Sequence, residues 1–312
     1  MHDLMNLVAE RVRIVSEGKW TRYAVDCDGD EMFEPKVSQE MINFATSRFL
    51  ERKAKNPNLF DGPAMHLSLE YSKLSGDALY LAVGLFKYSV YDICRKEFIE
   101  KFGWDESQLP TGMGVNAVVV TLDSKIVMHD RDPNVDHKAK IGIIGSVYSE
   151  DKPFTHIQSE LWEEVGLELQ ETNDLFLVGI SSRLDERINH ELTFIVQVPL
   201  IAEEVMRRWE RAIDKKEGEV FFLECDPDVL HSYLQANYAK MLSTAFSGLV
   251  LAGRHMWGEE WSRITKADYE SFEETVGIVE DKELMKALEK GKEEVDEGKF
   301  IPWKDVKAEL GL

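Results

Sequence analysis

The chain has 312 residues, 44% of them hydrophobic and 30% charged, which suits one principal domain with a large core and additions at its ends. Its 58 acidic residues against 37 Lys and Arg give a net charge of -21. That excludes a broad nucleic-acid-binding face, which needs basic residues to displace phosphate counterions, and it excludes anionic membranes as a partner.

A small phosphorylated substrate stays open, because a bound divalent cation reverses the local field. No apolar run reaches the ~18 residues of a membrane helix. The opening MHDLMNLVAERVRIV carries acidic residues and no signal-peptide core. Cys27, Cys94 and Cys225 lie far apart, which predicts free thiols in a reducing compartment, the cytosol, and neither a zinc site nor a disulfide framework.

Residues 1–110 read as an N-terminal α+β region. A short extended piece near 13–26 leads to a helix over about 38–55, with Ser38 as N-cap and Asn56-Pro57 as its stop. MHLSLEYSKL (65–74) alternates apolar and polar residues as a strand does. ALYLAVGLFKY (78–88) is its expected partner across Ser75-Gly76-Asp77. A second region, 111–255, opens with VNAVVVTL, a β-branched run suited to a buried strand. Asp123-Ser124 turns it into KIVMH, and KIGIIG delivers Gly145. DLFLVGISS, HELTFIVQVP and GEVFFLEC are further strands, and helices are expected around 201–213 and 229–251. A mixed sheet between helical layers, an α/β/α sandwich, follows from that alternation. The tail, 256–312, predicts a helix, a break at Gly298, a short extended FIPW and a last helix. Such a tail serves as a docked helical extension, a homodimer element or a protein-partner arm.

The richest stretch is 145–167, GSVYSEDKPFTHIQSELWEEVGL. At roughly 100° per residue, Glu160, Glu163 and Glu164 fall within about 100° of arc on one helix. Like charges so spaced repel, and a hard divalent cation bound through their oxygens relieves the repulsion. Phe154, Ile157, Leu161 and Val165 form the opposing apolar stripe that anchors the helix.

This stretch resembles the signature of the Nudix hydrolases: Gly, five residues, Glu, seven residues, then Arg-Glu-apolar-any-Glu-Glu-any-Gly-apolar. Gly145, Glu160, Leu161, Glu163, Glu164, Gly166 and Leu167 match; Asp151 stands for the glutamate and Ser159 for the arginine. The resemblance implies a Nudix-type sandwich and a Mg2+ or Mn2+ site made by Glu160, Glu163 and Glu164. The Gly145 carbonyl is then a further ligand, and Asp151 an outer ligand or a brace. Glu160 would also orient or deprotonate the attacking water. One more carboxylate is expected from a later loop, with Glu191, Glu217 and Glu219 as candidates. Arg131 is placed to contact phosphate, and Tyr88 to face substrate. His129, His137, His156 and His190 show no metal-ligand spacing with one another, and most are expected on loops or the surface.

The segments NPNLFDGPAMHLSL (56–69), LAVGLFKYSVYD (81–92) and GVNAVVVTLDSKIVMHDR (114–131) also occur in a recognisable order. Over about 35–255 the chain is similar to the UDP-glucose and UDP-galactose pyrophosphatase branch, whose box is degenerate. That likeness implies cleavage of a UDP-sugar to UMP and sugar 1-phosphate. Ser159, and Ile144 in place of a second glycine before Gly145, favour the alternative of a Nudix-fold nucleotide sensor or partner-binding scaffold that cleaves poorly.

Overall fold

A computed structural model describes residues 11–30, 33–35, 37–55, 61–74, 76–93, 111–131, 140–149, 152–172, 174–183, 189–215, 218–258 and 261. Cys94, His137, Asp151, Glu217 and the elements expected in the tail beyond 261 lie outside the described residues. The chain divides into two units, Met1–Thr265 and Lys266–Leu312, and all described residues belong to the first.

Its centre is an eight-stranded mixed sheet. The spine runs β1 (Val12–Trp20), β9 (Leu175–Arg183), β10 (His190–Gln197), β5 (Met113–Val120), β6 (Lys125–Arg131), β11 (Gly218–Glu224). All eight residues of β5 are buried, as its β-branched run predicts. One edge of β5 runs parallel to β10 along its whole length. The other edge pairs with β8 (Ile144–Val147) over Gly114–Ala117 and meets β6 only at Val120↔Ile126, so the sheet forks there. The short β7 (Ile141–Gly142) continues the β6 side of the fork.

Period-two alternation sorts the strand residues between two cores. On one face Val115, Ala117 and Val119 join Phe154, Ile157, Leu161 and Val165 of helix α3 (Pro153–Val165), and Val205 of α4 (Ala202–Trp209). On the other face Val118 and Val120 pack with Leu230 and Leu234 of α5 (Pro227–Asn237) and with Phe246, Leu249 and Val250 of α6 (243–258). The expected sandwich, a mixed sheet between helical layers, is the observed one.

A three-stranded sheet, β2 (Val25–Gly29), β4 (Leu79–Lys87), β3 (Pro63–Leu67), adds Leu67, Leu79, Leu81 and Val83 to the first core. Helices α1 (Gln39–Lys55) and α2 (Tyr88–Ile93) bury Met41, Ala45, Phe49, Val90 and Ile93 against each other. The Ser38 hydroxyl accepts from the Met41 amide at 3.2 Å, the cap expected of it.

Three expectations are corrected. The single extended piece near 13–26 is two strands in different sheets. The strand expected over 65–74 stops at Leu67, because the Ser72 hydroxyl donates to the Ser68 carbonyl and accepts from the Ala82 amide, closing a local turn in place of the ladder. The helix expected over 229–251 is two helices, since the Leu242 amide donates to the Ile141 carbonyl and pulls the chain beside β7. No helix among the described residues is long and apolar enough to cross a membrane.

Candidate functional site

Helix α3 enters on Pro153, whose fixed φ suits the first turn, and leaves through Gly166 at φ 68. The Gly166 and Leu167 amides donate to the Trp162 and Leu161 carbonyls, satisfying the end of the helix. Burial of Phe154, Ile157, Leu161 and Val165, worth roughly 1.5–3 kcal/mol for each large side chain, fixes its rotation on the sheet. That rotation turns Glu160 and Glu164, one turn apart, towards the fork.

There they line a cavity of about 320 Å³ together with Gly145, Asn116, Arg131, Arg183 and Glu191. Gly145 has φ 150, and a Cβ would strike the Val115 carbonyl of the paired strand. The bare backbone lets the Gly145 amide donate to Glu164 Oε1 at 3.1 Å. Gly114 plays a similar part on β5, where a Cβ would strike the Glu191 carboxylate. Glu191 is only 3% exposed and accepts from Asn189 Nδ2 at 3.0 Å. Burial pushes its carboxyl up to about 7, against the opposing pull of the Arg183 charge and the Asn189 hydrogen bond.

Histidines stand beside both box carboxylates. His156 Nε2 lies 3.5 Å from Glu160 Oε1 and 2.9 Å from the Ser146 hydroxyl. His129 Nδ1 lies 3.8 Å from Glu164 Oε2. Burial, reinforced by the Arg131 charge, lowers His129 to about 4, so near neutrality it faces Glu164 uncharged and the contact is no ion pair. His129, His156 and His190 are buried, which corrects the expectation of loop or surface histidines. The reason is local: Ser146 satisfies His156, and Ser182 meets His190 Nδ1 at 2.8 Å.

Of the residues singled out by the sequence, Tyr88, Arg131, Gly145, Glu160, Glu164 and Glu191 are brought together at the cavity. Glu163 is not among its lining residues. The helical wheel puts it about 60° from Glu160, on the side away from Glu164, and its carbonyl accepts from the Asp214 amide at 3.0 Å. Glu219 is exposed on β11, paired opposite Asp130. Ser159 is exposed, its hydroxyl turned back to the Thr155 carbonyl at 3.3 Å. Arg183, Asn189, Tyr91 and Asp214 line the cavity without a sequence signal that singles them out.

The donor chemistry suits a hard divalent cation, since three carboxylate residues, Glu160, Glu164 and Glu191, line one cavity. The buried Nδ1 of His129 has no hydrogen-bond partner among the described residues, and Glu191 is an acid whose ionisation burial resists. Among the described residues, no three His, Cys, Asp or Glu side chains are already gathered into a metal-holding group.

No family model matches the chain, and no curated protein matches it. Among solved structures it is similar to a NUDIX hydrolase from Nitrosomonas europaea, at 16% identity over 47% of this chain and 90% of that one, TM-score 0.35. A mutT/nudix family protein from Listeria innocua aligns at 17% identity over 50% and 99% of the two chains, TM-score 0.33. A bifunctional NMN adenylyltransferase/ADP ribose pyrophosphatase from Francisella tularensis, complexed with AMP and a Mn ion, aligns at 16% identity over 54% and 46%, TM-score 0.33. This chain thus spans less than half of that bifunctional enzyme. These likenesses are low.

Proposed function

We propose that this chain is a Nudix-type hydrolase of a nucleoside diphosphate linked to a second group, with Mg2+ or Mn2+ held by Glu160, Glu164 and the Gly145 carbonyl. One observation carries the reading: box residues Glu160 and Glu164 line the same cavity as buried Glu191, Arg131 and Arg183. A diphosphate needs both kinds of neighbour, cations for its oxygens and a proton acceptor for the incoming water.

When bound, the cation neutralises phosphate oxygens and acidifies water. Arg131 and Arg183 bind phosphate oxygens through charge-assisted hydrogen bonds. Glu191, raised to about 7, has a proton affinity matched to neutral pH and takes the proton of the attacking water. Water oxygen bonds to phosphorus, the bridging P–O bond breaks, and the bond's electrons leave with the departing phosphate. The products are two phosphate monoesters. For the UDP-sugar substrate favoured by the order of segments over 35–255, these are UMP and a sugar 1-phosphate.

The test is phosphate release, with added phosphatase, from UDP-glucose, UDP-galactose and ADP-ribose in Mg2+ and in Mn2+. Release from a UDP-sugar that Glu164→Gln suppresses supports the proposal; a folded chain inert towards all three in both metals contradicts it. The second reading, a nucleotide sensor, is favoured by Ser159, whose hydroxyl turns to its own helix and does not brace the carboxylates. Tight nucleotide binding without phosphate release identifies that case.

A further inference from the structure

The segment NPNLFDGPAMHLSL (56–69) holds the four residues LFDG, 59–62, ahead of β3. Its described half, Asp61-Gly62, does something specific. Asp61 Oδ1 accepts from the Ser89 amide at 2.7 Å and Oδ2 from the Ser89 hydroxyl at 2.9 Å. The Gly62 carbonyl accepts from the Tyr88 amide at 2.9 Å. Ser89 is fully buried, so this clamp is shielded from water.

The residues gripped are the first two of α2, where β4 turns into helix. Tyr88 and Tyr91, three apart, share a face of that helix, and both line the cavity that holds Glu160 and Glu164. Their ring centroids are 5.9 Å apart at 55°, and Phe86 backs Tyr91 edge-on at 6.4 Å. Tyr91 is 3% exposed, whereas Tyr88 is half-buried. Room for Tyr91 comes from Gly112, where a Cβ would stand 2.6 Å from the ring.

We propose that Asp61, acting through Ser89, positions Tyr88 and Tyr91 as an aromatic wall against which the cavity takes a planar ring of its ligand. The wall stands beside the carboxylates and guanidinium groups, so the ligand class is a diphosphate carrying an aromatic base. This rests on the hydrolase reading for the diphosphate half and on the tyrosine geometry for the ring. Asp61 and Ser89 are positioning residues; half-buried Tyr88 makes the contact and buried Tyr91 backs it.

Calorimetric titration of the full chain with UDP and with ribose 5-diphosphate, in Mg2+, separates the two halves. Base–aromatic contact predicts that UDP binds about tenfold more tightly than ribose 5-diphosphate. Tyr88→Leu and Ser89→Ala each remove most of that margin. Asp61→Asn, which keeps an acceptor oxygen, retains more of it than Asp61→Ala. Equal binding of the two probes by the wild type, or a margin that survives both Tyr88→Leu and Ser89→Ala, overturns the wall and leaves the hydrolase reading standing. Failure of both probes to bind overturns both.

Discussion

Glu191, Arg183 and Gly145 reach the cavity from the eight-stranded sheet, where β5, β9 and β10 are buried almost throughout, whereas Tyr88 and Tyr91 arrive behind a three-stranded sheet whose β2 has no fully buried residue. The large sheet can hold ionisable groups in a dry, stiff frame, which is what shifts a carboxyl's proton affinity. The small sheet leads through its central, largely buried strand β4 into α2, which carries the two tyrosine rings, Tyr88 half-buried and Tyr91 buried. The charged groups and the aromatic rings thus reach the cavity from different sheets.

The largest expected effect attacks the stiff frame. Leu161→Ala, in the core beneath α3, should cost about 3 kcal/mol in urea unfolding, while Val25→Ala on half-buried β2 should cost about 1 kcal/mol or less. Equal losses would erase the contrast between the sheets.

Next comes the contrast between the two sides of α3. Glu164→Gln should lower turnover about a hundredfold, and Glu163→Gln, off the cavity, less than about tenfold. Steady-state kinetics decides, and equal losses would put Glu163 on the metal after all.

A third effect concerns pH. Folding raises Glu191 from an ordinary 4.5 to about 7, so the folded chain keeps a proton there that the unfolded chain releases. Its stabilising contribution is full below about 4.5 and is lost as pH rises to about 7. Glu191→Gln, neutral throughout, escapes that loss. Measured against wild type in chelator, the variant should gain stability between about pH 5 and about pH 8; no gain would mean that Glu191 ionises freely.

The smallest effect is Gly114→Ala. Its Cβ would meet the Glu191 carboxylate, a movable side chain, so a few-fold fall in turnover with a stability cost of about 1 kcal/mol is expected.

What the sequence disclosed follows from periodicity. The α3 stripe and its glycine stop were legible because a helix repeats every 3.6 residues, and β5 because a doubly buried strand is a run of β-branched residues. Glu160 and Glu164 shared a face for the same reason. Glu163 lay inside the same arc, yet only packing reveals which edge of that arc meets the cavity. The choice of Glu191 over Glu219 depends on pairing across the sheet. Arg183 and Tyr91 enter from strands and helices distant in the chain. The buried histidines were misplaced because Ser146 and Ser182 become their partners only after folding. The break between α5 and α6 was hidden because it comes from pairing with Ile141, about a hundred residues earlier.

The most direct measurement is Mn2+ binding to the purified chain, followed by electron paramagnetic resonance, in wild type and in the Glu160→Gln/Glu164→Gln double variant. Saturable uptake by the wild type, lost in the double variant, is the predicted result. Absence of uptake in the presence of UDP, or uptake identical in both proteins, would contradict a cation site on this helix.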